Sequence, residues 1–212
     1  MEQQDKGRSN MKLYYSSGAC SLSPHIVLRE AGLKFDLKKV DLKSKKMDGG
    51  GDLTTVSPKG QVPVLELDDG QRLTEGPAIV QYIADQKPGS GLAPANGTME
   101  RYRLQEWLNF ITSELHKGFS PLFRDNTPAE FKEIAKANLA GRFDYLDKHL
   151  AKNKHLMGEG FTVADAYAFT VINWSNFLKI DLGKWPNIGA YMKRVSARPK
   201  VQEALKAEGL VK

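Results

Sequence analysis

The sequence predicts an α/β unit of order βαβ then ββα, followed by an all-α unit. Three observations carry this reading. Short apolar runs of strand character occur at 12–15, 35–40 and 64–67, bounded by turn-forming residues. The stretch 87–98 (KPGSGLAPANGT) is dense in Pro, Gly and small polar residues, the composition of a link between compact units. Beyond it strand signals nearly vanish, and apolar residues recur at helical spacing.

Residues 12–15 (KLYY) read as the first strand and 16–19 (SSGA) as a small-residue turn, leading into a helix at 24–31 closed by Gly32. The alternation of FDLKKV at 35–40 is that of a second strand. A helix between two strands makes a crossover, so this pair is expected to be parallel. After a polar, glycine-rich stretch at 43–52, the runs 64–67 and 72–73 flank Asp68-Asp69-Gly70, a hairpin turn signal. Ile79, Val80 and Ile83 then mark one face of a helix over 77–84. Four helical segments follow, at 99–117, 128–150, 162–177 and 188–197. Thr162-Val163-Ala164-Asp165 has capping-box spacing, which places a helix start there. The broad apolar face of Val163, Ala166, Phe169, Thr170 and Ile172 makes that helix a buried central one. The division is therefore 1–10 as a flexible extension, because Met11 directly precedes the first strand, then 11–88, a linker at 89–98, and 99–212.

Composition narrows the function classes. The chain has 212 residues, 41% of them hydrophobic, with no run near the roughly 18 apolar residues of a membrane span. Residues 1–10 lack the apolar stretch of a secretory signal, so a cytoplasmic, membrane-free protein is expected. One cysteine excludes an internal disulfide and leaves too few thiols for a usual structural zinc site; no metal is expected. The net charge of +6 suits anionic ligands or a solvated surface. The lysines are scattered and no recognised nucleic-acid motif accompanies them, so no nucleic-acid partner is expected.

Cys20 sits where the first strand gives way to a helix, near unpaired amides and the positive helix end. A thiolate at neutral pH is expected there; the alternative is a buried, inert cysteine. Cys20-Ser21-Leu22-Ser23 has CxxC spacing with serine in place of the second thiol. Such a site forms a mixed disulfide but needs an outside thiol to resolve it. Asn109, Ser113 and His116, four and three apart, share one face of a regular helix; the alternative for His116 is a core histidine.

The motifs Lys12-Leu13-Tyr14-Tyr15, Cys20-Ser21-Leu22-Ser23-Pro24-His25, Gln61-Val62-Pro63-Val64-Leu65, Leu73-Thr74-Glu75-Gly76-Pro77-Ala78-Ile79 and Ser113-Glu114-Leu115-His116-Lys117 occur in the order and at the spacing of one family. From Met11 to Lys212 the chain resembles the bacterial beta-class glutathione S-transferases. The resemblance implies a thioredoxin-like glutathione-binding unit, an all-helical second unit and a homodimer. The implied activity is conjugation of glutathione, a co-substrate, to small hydrophobic electrophiles in detoxification.

It also implies roles. Cys20, Ser21 and His116 would act on the glutathione sulfur, with Ser113 approaching it from the helical unit. Val62, before a cis Pro63, would pair with the cysteinyl part. Glu75 and Gly76 would hold the γ-glutamyl end, Glu75 being otherwise a helix cap. Lys45 would meet the glycyl carboxylate, although it shares a lysine cluster with Lys43 and Lys46. Asn109 would reach the tripeptide across the dimer interface. Phe119, Leu122, Phe123, Trp174 and Phe177 are open between electrophile wall and core packing. The competing readings are a glutathione-dependent reductase or dehalogenase with Cys20 as nucleophile, and a non-catalytic scaffold.

Overall fold

The computed structural model describes residues 11–212, so the expectation for 1–10 lies outside the described residues. Four strands, β1 (Lys12–Tyr15), β2 (Asp36–Lys39), β3 (Val64–Glu66) and β4 (Arg72–Thr74), form one sheet in the order β2-β1-β3-β4. β1 and β2 are parallel and the other pairs antiparallel. Alternation sorts the side chains. Leu13, Tyr15 and Leu65 join the main core, whereas Tyr14 and Val64 meet Val40, Leu53, Val56 and Val62 in a smaller cluster. Gly70, at φ +82°, closes the β3–β4 hairpin as its sequence predicts.

Helix α1 (Leu22–Glu30) starts two residues before the expected position, because Pro24 falls in the first turn where no amide partner is needed. α2 is Gly76–Asp85. The expected helix over 99–117 is divided into α3 (Met99–Phe110), a π-helical turn (Ile111–His116) and α4 (Lys117–Phe119). α5 (Ala129–Leu150), α6 (Val163–Ile172), α7 (Trp174–Phe177) and α8 (Pro186–Ser196) follow. A last helix, α9 (Pro199–Ala207), was not anticipated; Pro199 stands at its first turn, where proline is favoured.

All ten residues of α6 are buried, and the capping box at its start is formed as predicted. The Asp165 carboxylate accepts from Leu156 N at 2.9 Å, Thr162 N at 2.8 Å and the Tyr191 hydroxyl at 3.1 Å. Each large apolar side chain buried on this helix contributes about 1.5–3 kcal/mol, so α6 is the axis on which the other elements are assembled.

One polar cluster joins the two halves. The Glu208 carboxylate and the His25 imidazole are both fully buried, with Oε1 2.8 Å from Nδ1. Arg29 Nε donates to His25 Nε2 at 2.9 Å, so Nδ1 carries the hydrogen given to Glu208. Glu208 Oε2 also accepts from Gly18 N at 2.9 Å, while Trp174 Nε1 donates to Gly18 O at 2.9 Å. The peptide two residues before Cys20 is thus gripped at both faces from the helical half. Gly18 has φ +72°, and a Cβ there would lie 3.1 Å from the Phe177 ring, so a side chain would be strained and would have to shift that ring.

Candidate active site

A cavity of about 320 Å³ lies between the sheet unit and the helices, and Cys20 lines it. The Cys20 thiol is 3.3 Å from Val62 O, to which it donates. Burial pushes this thiol up to about 11, against the opposing pull of the Cys20 and Ser21 amides. The expected neutral-pH thiolate is therefore corrected: the helix amides are present, but lost hydration outweighs them. Alkylation of Cys20 by iodoacetamide is expected to be slow at pH 7 and to accelerate up to about pH 11. A plateau reached by pH 8, read by mass spectrometry, would contradict this environment.

The Ser21 hydroxyl does not enter the cavity. Fully buried, it accepts from Ser16 N at 3.1 Å and donates to Ser16 O at 3.2 Å. It closes the turn, and only its amide is aimed at the Cys20 sulfur. The Val62–Pro63 bond is cis and both residues line the cavity. Glu75 is the residue before α2 and has φ +70°, an uncommon conformation for a residue with a side chain. Its carboxylate makes no capping bond and instead meets Lys59 Nζ at 2.5 Å, so the capping alternative does not hold. Gly76 opens α2 beside it, where first-turn amides lack helical partners. Lys45 is half-buried and its Nζ donates to Gly60 O at 2.8 Å; Lys43 and Lys46 are exposed and do not line the cavity.

From the helical side, His116 lines the cavity and its Nδ1 is 2.7 Å from the Tyr167 hydroxyl. Burial, aided by the neighbouring Lys117 charge, lowers the imidazole to about 4. The ring is neutral from pH 5 upward, and its NMR titration midpoint is expected near 4; a midpoint above 6 would contradict the burial. Burial also holds the Tyr167 hydroxyl above its usual range, so it keeps its proton. Trp174 packs edge-on to His116, with ring centroids 4.8 Å apart, and thus touches both His116 and the Cys20 turn.

The structure brings Cys20, Lys45, Val62, Pro63, Glu75, Gly76 and His116 to one cavity. It does not bring Asn109 or Ser113 there. Both are exposed; Ser113 Oγ donates to Asn109 O at 3.0 Å and faces a separate depression with Glu114 and Arg142. The cause is the π-turn, whose i to i+5 bonding widens the helix, so the even face expected of 109, 113 and 116 is lost. Thr112, four before His116, lines the cavity instead. Lys59, Lys117, Ser120, Arg124 and Tyr167 were also missed. The usable signal for Lys117 was its adjacency to His116; no local pattern distinguishes the others.

The comparisons come from both units. The glutathione S-transferase N-terminal domain model matches 18–86 and the C-terminal domain model matches 110–199. The glutathione S-transferase GstA of Escherichia coli O157:H7 is 50% identical over 200 residues, covering 94% of this chain and all of the relative. A ternary complex of BphK, a bacterial GST, superposes with a TM-score of 0.93 at 57% identity, covering 94% of this chain and all of that one. The beta-class glutathione S-transferase of Sphingomonas chungbukensis gives 0.91 at 51% identity with the same coverage. A sphingomonad glutathione S-transferase complexed with glutathione gives 0.91 at 50% identity, again with the same coverage. Among the described residues no helix is long and apolar enough to cross a membrane. No described group of three or more His, Cys, Asp or Glu residues could hold a metal.

Proposed function

The chain belongs to the glutathione S-transferase family, and from that premise we propose how its own residues bind glutathione and activate the thiol for conjugation. The observation that carries the reading is the convergence of Cys20, Val62, Glu75, Gly76 and His116 on one cavity between the two units. The chain is a transferase of the bacterial beta class, joining glutathione to an electrophile as a thioether.

Glutathione carries two carboxylates, an ammonium and an extended peptide, and each has a counterpart here. Glu75 takes the ammonium, and the Gly76 amide at the start of α2 takes the γ-glutamyl carboxylate. Val62 offers its backbone to the cysteinyl peptide. Lys45 exchanges Gly60 O for the glycyl carboxylate. The sulfur then lies between Cys20 and His116. Because Tyr167 keeps its proton and engages Nδ1, the imidazole presents Nε2–H to the sulfur. The neutral His116 donor and the Cys20 S–H, turned from Val62 O to the bound sulfur, stabilise the thiolate as its proton leaves to solvent. The sulfur attacks the electrophilic carbon and the leaving group departs with the bonding pair.

Cys20 itself is a weak nucleophile in this environment, because its thiol is held near 11. This favours conjugation over a reductase or dehalogenase acting through a Cys20 mixed disulfide. The reading extends to a cytoplasmic homodimer, with the units divided at 89–98. Asn109, exposed and away from the cavity of its own chain, serves the tripeptide from the partner copy.

The test mixes protein, glutathione and a chromogenic aryl halide, following thioether and oxidised glutathione separately. Thioether is expected to survive Cys20→Ala and to fall about ten-fold with His116→Ala, the effect of one lost hydrogen bond to a charged group. Oxidised glutathione that disappears with Cys20→Ala, with no thioether, would establish the redox reading instead. Neither product despite bound glutathione would leave only a scaffold.

A further inference from the structure

With glutathione on the sheet side, the second substrate meets the helical wall of the cavity. That wall is formed by Thr112, His116, Lys117, Ser120, Arg124 and Tyr167. Of the five apolar residues left open between wall and core, none lines it. Phe119, Leu122 and Trp174 are buried in the core, and Phe123 and Phe177 are exposed without lining the cavity. Polar and charged groups therefore stand where a purely apolar electrophile would need hydrocarbon.

Charge makes the chemistry more specific. Four cations line the cavity, Lys45, Lys59, Lys117 and Arg124, against the single carboxylate Glu75. Lys59 is paired with Glu75 and Lys45 is bonded to Gly60 O. Among the described residues Lys117 and Arg124 enter no side-chain hydrogen bond or ion pair, although thirteen ion pairs form elsewhere. Glutathione's own charges are met by Lys45, Gly76 and the second oxygen of Glu75, whose first oxygen keeps Lys59, so the two remaining cations face the other reactant. A guanidinium fork matches a carboxylate in shape as well as charge.

Resting on the conjugation reading, we infer that the preferred second substrate is an anionic electrophile bearing a carboxylate, with Arg124 and Lys117 as the residues that select it. In the step, the glutathione thiol loses its proton to solvent, a carbon–sulfur bond forms, and the carbon–halogen bond breaks with its electron pair leaving as halide. The substrate carboxylate is unchanged and serves only as a handle.

The experiment compares a chlorodinitrobenzoate with its neutral primary amide as the second substrate. Each kcat/KM is divided by the uncatalysed rate with glutathione, which removes the intrinsic difference in reactivity. Wild type is expected to favour the carboxylate about five-fold, the scale of two partly solvated ion pairs. That preference should shrink with added salt. It should fall to about one in the doubly substituted Lys117→Met, Arg124→Met protein and reverse in Arg124→Glu. Both side chains are exposed, so the variants should melt as wild type does, a control for folding. Equal use of the two substrates by wild type, or a preference that persists in the double variant, would overturn the assignment and leave conjugation standing. Conjugation of neither substrate would refute the transferase reading, and this inference with it.

Discussion

Glu208→Ala is expected to destabilise the protein by about 2–5 kcal/mol, the cost of leaving two buried donors without their charged acceptor. The substitution leaves the His25 Nδ1–H and the Gly18 N–H without their acceptor in a fully buried site. Arg29 already occupies the other face of His25, so the imidazole has no alternative hydrogen-bonding arrangement within reach. For a chain of this size the melting temperature should drop by roughly ten degrees or more. Glu208→Gln keeps one acceptor oxygen and should recover part of the loss. Urea unfolding of the three proteins decides the matter, and a loss below about 1 kcal/mol for the alanine variant would show that water replaces the carboxylate.

The second large effect is on binding. Glu75→Gly is expected to raise the KM for glutathione about ten- to a hundred-fold, because a carboxylate bonded to an ammonium is worth about 1.5–3 kcal/mol. Stability should move the other way. Glu75 holds φ at +70°, a conformation that glycine adopts without steric cost, so the melting temperature should not fall. A residue that matters only for folding cannot give this divergence. If KM is unchanged while the melting temperature rises, Glu75 has no part in holding the ammonium.

Much of this was legible in the chain because the signals are local. The period-two strands, the Asp68-Asp69-Gly70 hairpin, the capping box at Thr162 and Asp165 and the apolar face of α6 each depend on neighbours within a few residues. The cavity residues Cys20, Val62, Pro63, Glu75, Gly76 and His116 were legible for a different reason, since they lie in motifs whose spacing is that of the family. What was missed depends on distance or on geometry off the regular period. α9 begins at a proline with little upstream warning. The π-turn at Ile111–His116 adds no distinctive residue, yet it exchanges Ser113 for Thr112 at the cavity. The Cys20 thiol was expected to be ionised because sequence shows the amides of α1 but not how much water is removed from the sulfur. Lys59, Arg124 and Tyr167 converge from three segments, and nothing in any one of them announces the others.

The tie between Gly18 and Glu208 spans 190 positions. At ribosomal speeds of about 5–20 residues per second, roughly ten to forty seconds pass between synthesis of the two ends. During that interval the nascent chain already holds Cys20, Glu75 and the strands, but the peptide before the cysteine lacks its acceptor. The Gly18 turn is then completed only once Glu208 has been made.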